Sequence, residues 1–256
     1  MKVLSGEIDS NLYKNLNVFI DPIDGTREFS TALGEQCSIC IGFSDKTTGL
    51  PVAGIVYRPI TSQPTWAAGA KSESFKAGNL DVVEVKKING LLTSNGGVSK
   101  FLVKLMEEIS FTRVPSGGAG NKMLMLLEGK GGAYIQDRGV SRWDTCGAQA
   151  VIEAYGGLLC KLTDFVNKKE LNSYTYLKSN SNLDFESGVS NLTPYNAKNP
   201  SSVVKGQEVL ATDVEQMKPY SNLCGHIALD AACVDQLESI YDGIQRAKLA
   251  FPPSYD

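Results

Sequence analysis

Histidine is nearly missing from this sequence: 256 residues carry one, His226. A single imidazole excludes histidine-rich metal sites. It also leaves only His226 for a Ser-His-Asp triad, and no nucleophile elbow is present. Positive charge is not in surplus either. Twenty-five Lys and Arg face 28 Asp and Glu, for a net charge of −3 and a pI of about 5.4. With no block of like charge, neither a nucleic-acid partner nor a charged tail is expected. No run of about eighteen apolar residues is present to span a membrane. The start, Met1-Lys2-Val3-Leu4, lacks the apolar stretch of a secretory signal. Without one, the sequon Asn191-Leu192-Thr193 carries no weight. Repeats and low-complexity segments are absent. The six cysteines show no pairing pattern; Cys37 and Cys40 form a C-x-x-C, but within apolar, strand-like surroundings that read as core. The expectation is a soluble, cytoplasmic, globular protein.

What the sequence does have is core material. With 42% hydrophobic residues, the chain can bury a core as one large domain or two small ones. "NVFID", "CSICIGFSD" and "PVAGIVYRPI" read as strands, the last two joined by "KTTG" as a hairpin turn. Residues 66–70 add a short strand, and "SESFKAGNLDVVEVKKIN" an exposed connection with an edge strand. The pattern then alternates. "SKFLVKLMEEI" has helical spacing, with Phe101, Leu102, Leu105 and Ile109 on one side. "FTRVP" is a strand, "AGNKMLMLLEGK" a helix and "GAYIQD" a strand. "WDTCGAQAVIEAYGG" is a helix stopped at Gly156-Gly157, and "LLCKLTDF" a strand. Residues 165–205 form a polar excursion, "GQEVLATD" a last core strand, and "AACVDQLESIYDGIQRAKLAF" an amphipathic closing helix. This order predicts a layered α/β or α+β architecture, with a strand-rich part over 1–92 and an alternating part over 93–256.

The stretch "FIDPIDGTREF", from Phe19 to Phe29, holds the densest chemistry. The strand is expected to end at Asp21. Pro22 fixes its own backbone angle and removes a ladder donor, so the Ile23 carbonyl and the Asp24 carboxylate turn to the side of Asp21. Two carboxylates and a carbonyl are the hard oxygen donors that Mg²⁺ takes. The N–H groups of Gly25 and Thr26 suit a phosphate oxygen. The other reading of these residues is a β-turn capped by Asx side chains, and the stretch alone leaves both open. Farther on, "RWDTCGAQAVIEAYGG" puts Asp144 in the first turn of a helix, where a carboxylate caps or complements the helix end.

Taken together, "DPIDGT" and "WDTCGAQAVIEAYGG" resemble the two signatures of the lithium-sensitive, magnesium-dependent phosphomonoesterases, the inositol monophosphatase superfamily. Order and separation also match, over about residues 17 to 215. The segment "SGGAGNKMLMLLEGKGGAYI", residues 116–135, is similar to that of 3′(2′),5′-bisphosphate nucleotidases, which hydrolyse 3′-phosphoadenosine 5′-phosphate to AMP. "GEQCSICIGFSDKTTGLPVAGIVYRP" also looks like inositol polyphosphate 1-phosphatases. The resemblance implies two or more Mg²⁺ ions. Asp21 would bridge them, the Ile23 carbonyl would complete one shell, and Asp24 and Asp144 would hold the other ion. Asp24 and Thr26 are the implied catalytic residues, with the Thr26 hydroxyl orienting the attacking water. Gly25 and Thr26 would meet the phosphate. Gly118 and Gly120 would admit the substrate's second phosphate and Lys122 would supply a point charge, although the two glycines also suit tight packing of a helix on a sheet. Ser94 stands in for a nucleotide-contacting Thr, and Gly97 stands where the family has a His.

The implied fold is a layered α-β-α-β-α sandwich lacking its first helical layer. Only twenty residues precede Asp21, and Gly6-Glu7 lies too close to it for the family's Gly-Glu-Glu metal motif. Three expectations follow: a phosphatase of a small bisphosphorylated nucleotide, the same chemistry on an inositol phosphate, or a catalytically impaired homologue serving as a structural subunit. A partner chain over the missing layer and weak activity of residues 1–256 alone are expected with them.

Overall fold

The structure, a computed structural model, describes residues 14–72, 74–83, 88–177, 221–222 and 224–253. The chain begins as an antiparallel meander: β1 (Leu16–Asp24), β2 (Ser38–Asp45), β3 (Pro51–Arg58), β4 (Thr65–Ala70) and β5 (Phe75–Gly78) pair in chain order. Alternation builds it. In β2, Ser38, Cys40, Gly42 and Ser44 are buried, while Ile39, Ile41 and Phe43 are half-buried on the other face. The "KTTG" hairpin sets Ile41 opposite Ile55. Its turn is closed by Asp45 Oδ1, which accepts from the amides of Thr47 at 2.8 Å and Thr48 at 2.7 Å. On the outer face of this sheet Val18, Ile20 and Phe75 are each more than half exposed.

β1 is irregular where it matters. Asp21 pairs with Cys40 and Asp24 with Ser38, so three steps along β1 answer to two along β2. The surplus is a β-bulge at Pro22–Ile23, where Pro22 has no N–H to give to a ladder. On a regular strand, residues three apart face opposite sides. The bulge restores the parity, and Asp21 and Asp24 are both buried. The expected strand end at Asp21 is therefore corrected: the strand continues to Asp24, and a bulge does the work assigned to a turn.

Five strands make the other large sheet: β6 (Gly90–Thr93), β7 (Thr112–Pro115), β8 (Ala133–Gln136), β10 (Leu158–Lys161) and β12 (His226–Leu229), in the order β10-β12-β8-β6-β7. β6 runs parallel to β7 and β8, and the other pairs are antiparallel. A separate two-stranded ribbon joins β9 (Val140–Ser141) to β11 (Ser221–Asn222). The helices are α1 (Thr26–Ser30), α2 (Lys100–Ile109), α3 (Ala119–Leu127), α4 (Arg142–Ala154), α5 (Leu162–Lys168) and α6 (Leu237–Ala250).

α3 and α4 lie between the two sheets, and α2 packs on α6 beyond the second. Two cores result. Leu92 and Tyr134 join Val56, Met123, Leu124 and Val151 between the sheets. Their chain neighbours Leu91 and Ile135 join Phe101, Leu105, Ile227 and Ile240 on the far side. The protein is α+β, layered sheet-helix-sheet-helix among the described residues. No helix among them is long and apolar enough to cross a membrane.

Several elements differ from expectation. Only the first half of "LLCKLTDF" is strand. Leu162, Phe165 and Val166 repeat at helical spacing, all three are buried, and the chain turns into α5. β12 was not anticipated; its four residues are buried on both faces and show no alternation. The closing segment starts as a 3₁₀ turn over Ala231–Gln236, with Asp230 as its cap, before α6 begins. "GQEVLATD" and most of 165–205 lie outside the described residues.

Candidate metal centre

Asp21 and Asp24 come from the bulge of β1, and Asp144 from the first turn of α4. Each of the three offers a carboxylate oxygen, and these atoms lie within 4.8 Å of one another. α4 reaches this point because its backbone rests on the sheet's backbone. A Cβ at Gly54 would lie 2.2 Å from the Gly147 oxygen, and one at Gly42 would lie 2.4 Å from the Gly147 nitrogen. Asp144, almost one turn before Gly147, is thereby carried to the bulge.

The two readings of Asp144 hold together. At the third position of α4 it closes a capping box, its Oδ2 accepting from the Ser141 amide at 2.8 Å. That bond uses one lone pair of a carboxylate that has about four. Asp24 is held more tightly. Its Oδ1 accepts from the Ala119 amide at 2.9 Å, and its Oδ2 from the Gly120 amide and the Ser38 hydroxyl, both at 2.7 Å. Burial nevertheless pushes the Asp24 carboxyl up, against the pull of Ser38, Lys122 and the two amides. Asp144 is held well above the usual carboxylate range by burial, then by the charges of Asp24 and Asp21. Three crowded carboxylates of this kind form a hard-oxygen donor set that fits a divalent cation such as Mg²⁺.

A pH dependence follows. Both carboxyls bind protons more tightly in the folded than in the unfolded chain, so without metal stability falls as pH rises from about 4 through their raised values. The melting temperature in EDTA should decline between about pH 5 and 8, and saturating Mg²⁺ should abolish the decline, because the cation replaces the proton. An EDTA curve flat across that interval would show that burial does not make Asp24 and Asp144 hold their protons more tightly in the folded chain.

The other expected site residues fall into two groups. Gly25 caps α1 at φ +91°, and Thr26, exposed, is the first residue of that helix, so both directly follow Asp24. Ile23 is exposed, and its amide donates to Asp21 Oδ1 at 3.0 Å. Gly118, Gly120 and Lys122 lie at the start of α3. A Cβ on Gly118 would lie 3.0 Å from Asp24 Oδ2, and the amides that follow donate to Asp24. The anion at the start of α3 is the chain's own. Lys122 is buried; its ammonium donates to the Gly118 carbonyl at 2.8 Å and the Ser116 carbonyl at 3.3 Å, over the Tyr134 ring. Burial lowers its pKa to about 8, although Asp24, Glu28 and Asp144 pull the other way. Ser94 and Gly97 line a cavity of about 130 Å³ with Thr93, Ser99, Gln136 and Asp137, and Asp21, Asp24 and Asp144 are not among its lining residues. All six cysteines are buried and outside any disulfide. Glu7 lies outside the described residues.

Sequence reasoning passed over Glu28, Gln36 and Asn95, which meet beside the aspartates. Single polar residues in short turns carry no periodic signal. The one available hint was a glutamate two residues after Thr26.

The sequence model of the inositol monophosphatase family matches residues 4–188. Human "3′(2′),5′-bisphosphate nucleotidase 1" is 28% identical over 197 residues, covering 67% of this chain and 60% of that protein. The mouse protein of the same name is 31% identical over 162 residues, 59% of this chain and 50% of that protein. The chain thus spans half to three-fifths of the length of these relatives. Its fold is similar to the crystal structure of staphylococcal IMPase-II, with a TM-score of 0.57 and 16% identity over 95% of this chain and 76% of that one.

Proposed function

The chain belongs to the inositol monophosphatase family, and from that premise we propose that it is a Mg²⁺-dependent phosphomonoesterase that removes the 3′-phosphate of 3′-phosphoadenosine 5′-phosphate, leaving AMP. The observation that carries this reading is the meeting of Asp21, Asp24 and Asp144 within 4.8 Å. Asp21, Asp24, Asp144 and the Ile23 carbonyl would hold the metal. When bound, it supplies Lewis-acid neutralisation of the phosphoryl charge. Gly25 and Thr26 bind phosphoryl oxygens through their N–H groups, and the Thr26 hydroxyl orients the attacking water. The cavity of about 130 Å³ beside Ser94 receives the non-reacting part of the substrate. The nucleotide is favoured because relatives at 28% and 31% identity bear that activity's name.

One observation favours a second substrate. Gly97 lines the cavity, and the resemblance implies a nucleotide-contacting His of the family at that position, so a nucleotide would have one contact fewer, and an inositol polyphosphate is the alternative.

Phosphate release from 3′-phosphoadenosine 5′-phosphate, inositol 1,4-bisphosphate and AMP, in Mg²⁺ and in EDTA, decides between them. The expected result is Mg²⁺-dependent release from the bisphosphorylated nucleotide at a kcat/KM roughly tenfold or more above that for AMP, the worth of one charge-assisted contact, which Arg138 in the cavity wall would supply. Faster release from the inositol bisphosphate would install the alternative. Metal binding without release from any of the three would make the chain a non-catalytic homologue.

A further inference from the structure

Beside the metal centre lies a polar knot that none of the roles above employs. Glu28, on α1, is 8% exposed. Its Oε1 accepts from Asn95 Nδ2 at 2.9 Å. The same nitrogen donates to Gln36 Oε1 at 2.7 Å. Gln36 Oε1 also accepts from the Gly117 amide at 2.7 Å. The three side chains come from separate places: the helix after the metal motif, the 3₁₀ turn Gly34–Gln36, and the loop after β6. They converge on the turn that opens α3.

That turn is two glycines wide; from the helix side Asn121 Nδ2 donates to the Gly117 carbonyl at 3.0 Å and the Lys122 ammonium to the Gly118 carbonyl at 2.8 Å, and the other side is left to the knot. Glu28 packs on its first glycine, since a Cβ at Gly117 would lie 2.2 Å from Glu28 Cγ. Asp24 packs on its second, 3.0 Å from where a Gly118 Cβ would be. The next two amides, of Ala119 and Gly120, are the ones that donate to Asp24. An Asp side chain has two free torsions, and paired amide donors remove that freedom only if the helix start carrying them is itself fixed.

We propose that Glu28, Gln36 and Asn95 are positioning residues for the metal centre: a clamp that seats the Gly117–Gly118 turn so that the first amides of α3 hold Asp24 in its ligating orientation. The proposal rests on the reading of Asp21, Asp24 and Asp144 as metal ligands. It assigns Glu28 a hydrogen-bond acceptor's role, since its Oε1 accepts from Asn95 and Glu28 is not among the carboxylates that gather within 4.8 Å. Asn95 follows Ser94 of the cavity wall, so the clamp also ties the cavity to the carboxylates.

The test reads two quantities on the full chain: Mn²⁺ affinity by electron paramagnetic resonance, and amide exchange at Ala119 and Gly120 by NMR without metal. Glu28→Ala and Asn95→Ala should each weaken Mn²⁺ binding by about ten- to a hundredfold, the usual effect of losing a partner that orients a ligand. Both should also speed exchange at Ala119 and Gly120 while leaving the β8 amides as they were. Glu28→Gln keeps an oxygen for Asn95 and should return both quantities close to wild type. Unchanged exchange at Ala119 and Gly120 in Glu28→Ala overturns the clamp, whether or not metal binds. Glu28→Gln as defective as Glu28→Ala overturns it too, because the charge would then be what acts. A wild-type chain that binds no Mn²⁺ while exchange responds as expected overturns the assignment to a metal centre, and the exchange data tell that failure from the others.

Discussion

Replacing Asp144 with asparagine should raise the melting temperature of the metal-free protein and end its response to Mg²⁺. Asparagine keeps an oxygen for the Ser141 amide, so the capping box of α4 survives. What is removed is a negative charge beside Asp21 and Asp24, in a place where burial and those same charges already push its carboxyl up. Without metal that charge is a liability, and with metal it is a ligand. Phosphate release should fall ~10³-fold, since metal stabilisation of the phosphoryl transfer is worth several kcal/mol and each 1.36 kcal/mol is tenfold. Asp144→Ala separates the two roles, because it also loses the cap, at about 1 kcal/mol. Melting curves in EDTA and in Mg²⁺, beside a phosphate assay, report all three effects. A variant less stable than wild type in EDTA that still responds to Mg²⁺ would reduce Asp144 to a helix cap.

Gly54→Ala should unfold at markedly lower urea than wild type and lose its Mg²⁺-dependent stabilisation as well. The added Cβ would lie 2.2 Å from the Gly147 oxygen and 2.7 Å from its Cα, both backbone atoms that cannot rotate away. α4 must lift from the sheet, at a typical overpacking cost of ~1–3 kcal/mol. Asp144 rides on α4, so the displacement also parts it from Asp21 and Asp24. Most helix-on-sheet substitutions would affect stability alone; this one links packing to the site. A wild-type urea midpoint for Gly54→Ala would mean that the close approach of α4 is not required.

The meander was readable because one of its faces is only half covered. "SICIGFSD" alternates, and β2 follows that alternation residue by residue. α2 was readable for the matching reason: Phe101, Leu102 and Leu105 repeat at helical spacing and are buried. "HIAL" was not, because a strand buried on both faces needs no polar residue and so shows no period. At the site, the residue types and motifs pointed to Asp21, Asp24 and Asp144, but a spacing of three on a strand argues against a shared face. The parity is corrected by a bulge that only the register with β2 reveals. Lys122 and its flanking glycines promised an anion at the start of α3, and there is one. A sequence does not say whether such an anion is a ligand or, as with Asp24, a residue almost a hundred positions earlier.

The bulge also separates what the sheet needs from what the site needs. Pro22 and Ile23 have no partners on β2, and both point to solvent. With one residue fewer, β1 would pair with β2 without interruption, and Asp21 and Asp24 would still share the inner face, two positions apart. The surplus residue thus does nothing for the core; what it adds is peptide groups outside the ladder. Selection on folding alone would give no reason to keep it; selection on the proposed metal chemistry would. A lineage of this fold released from catalysis would be free to drop one codon here at no cost to its sheet, and the shortened motif would mark the retirement before any aspartate changed.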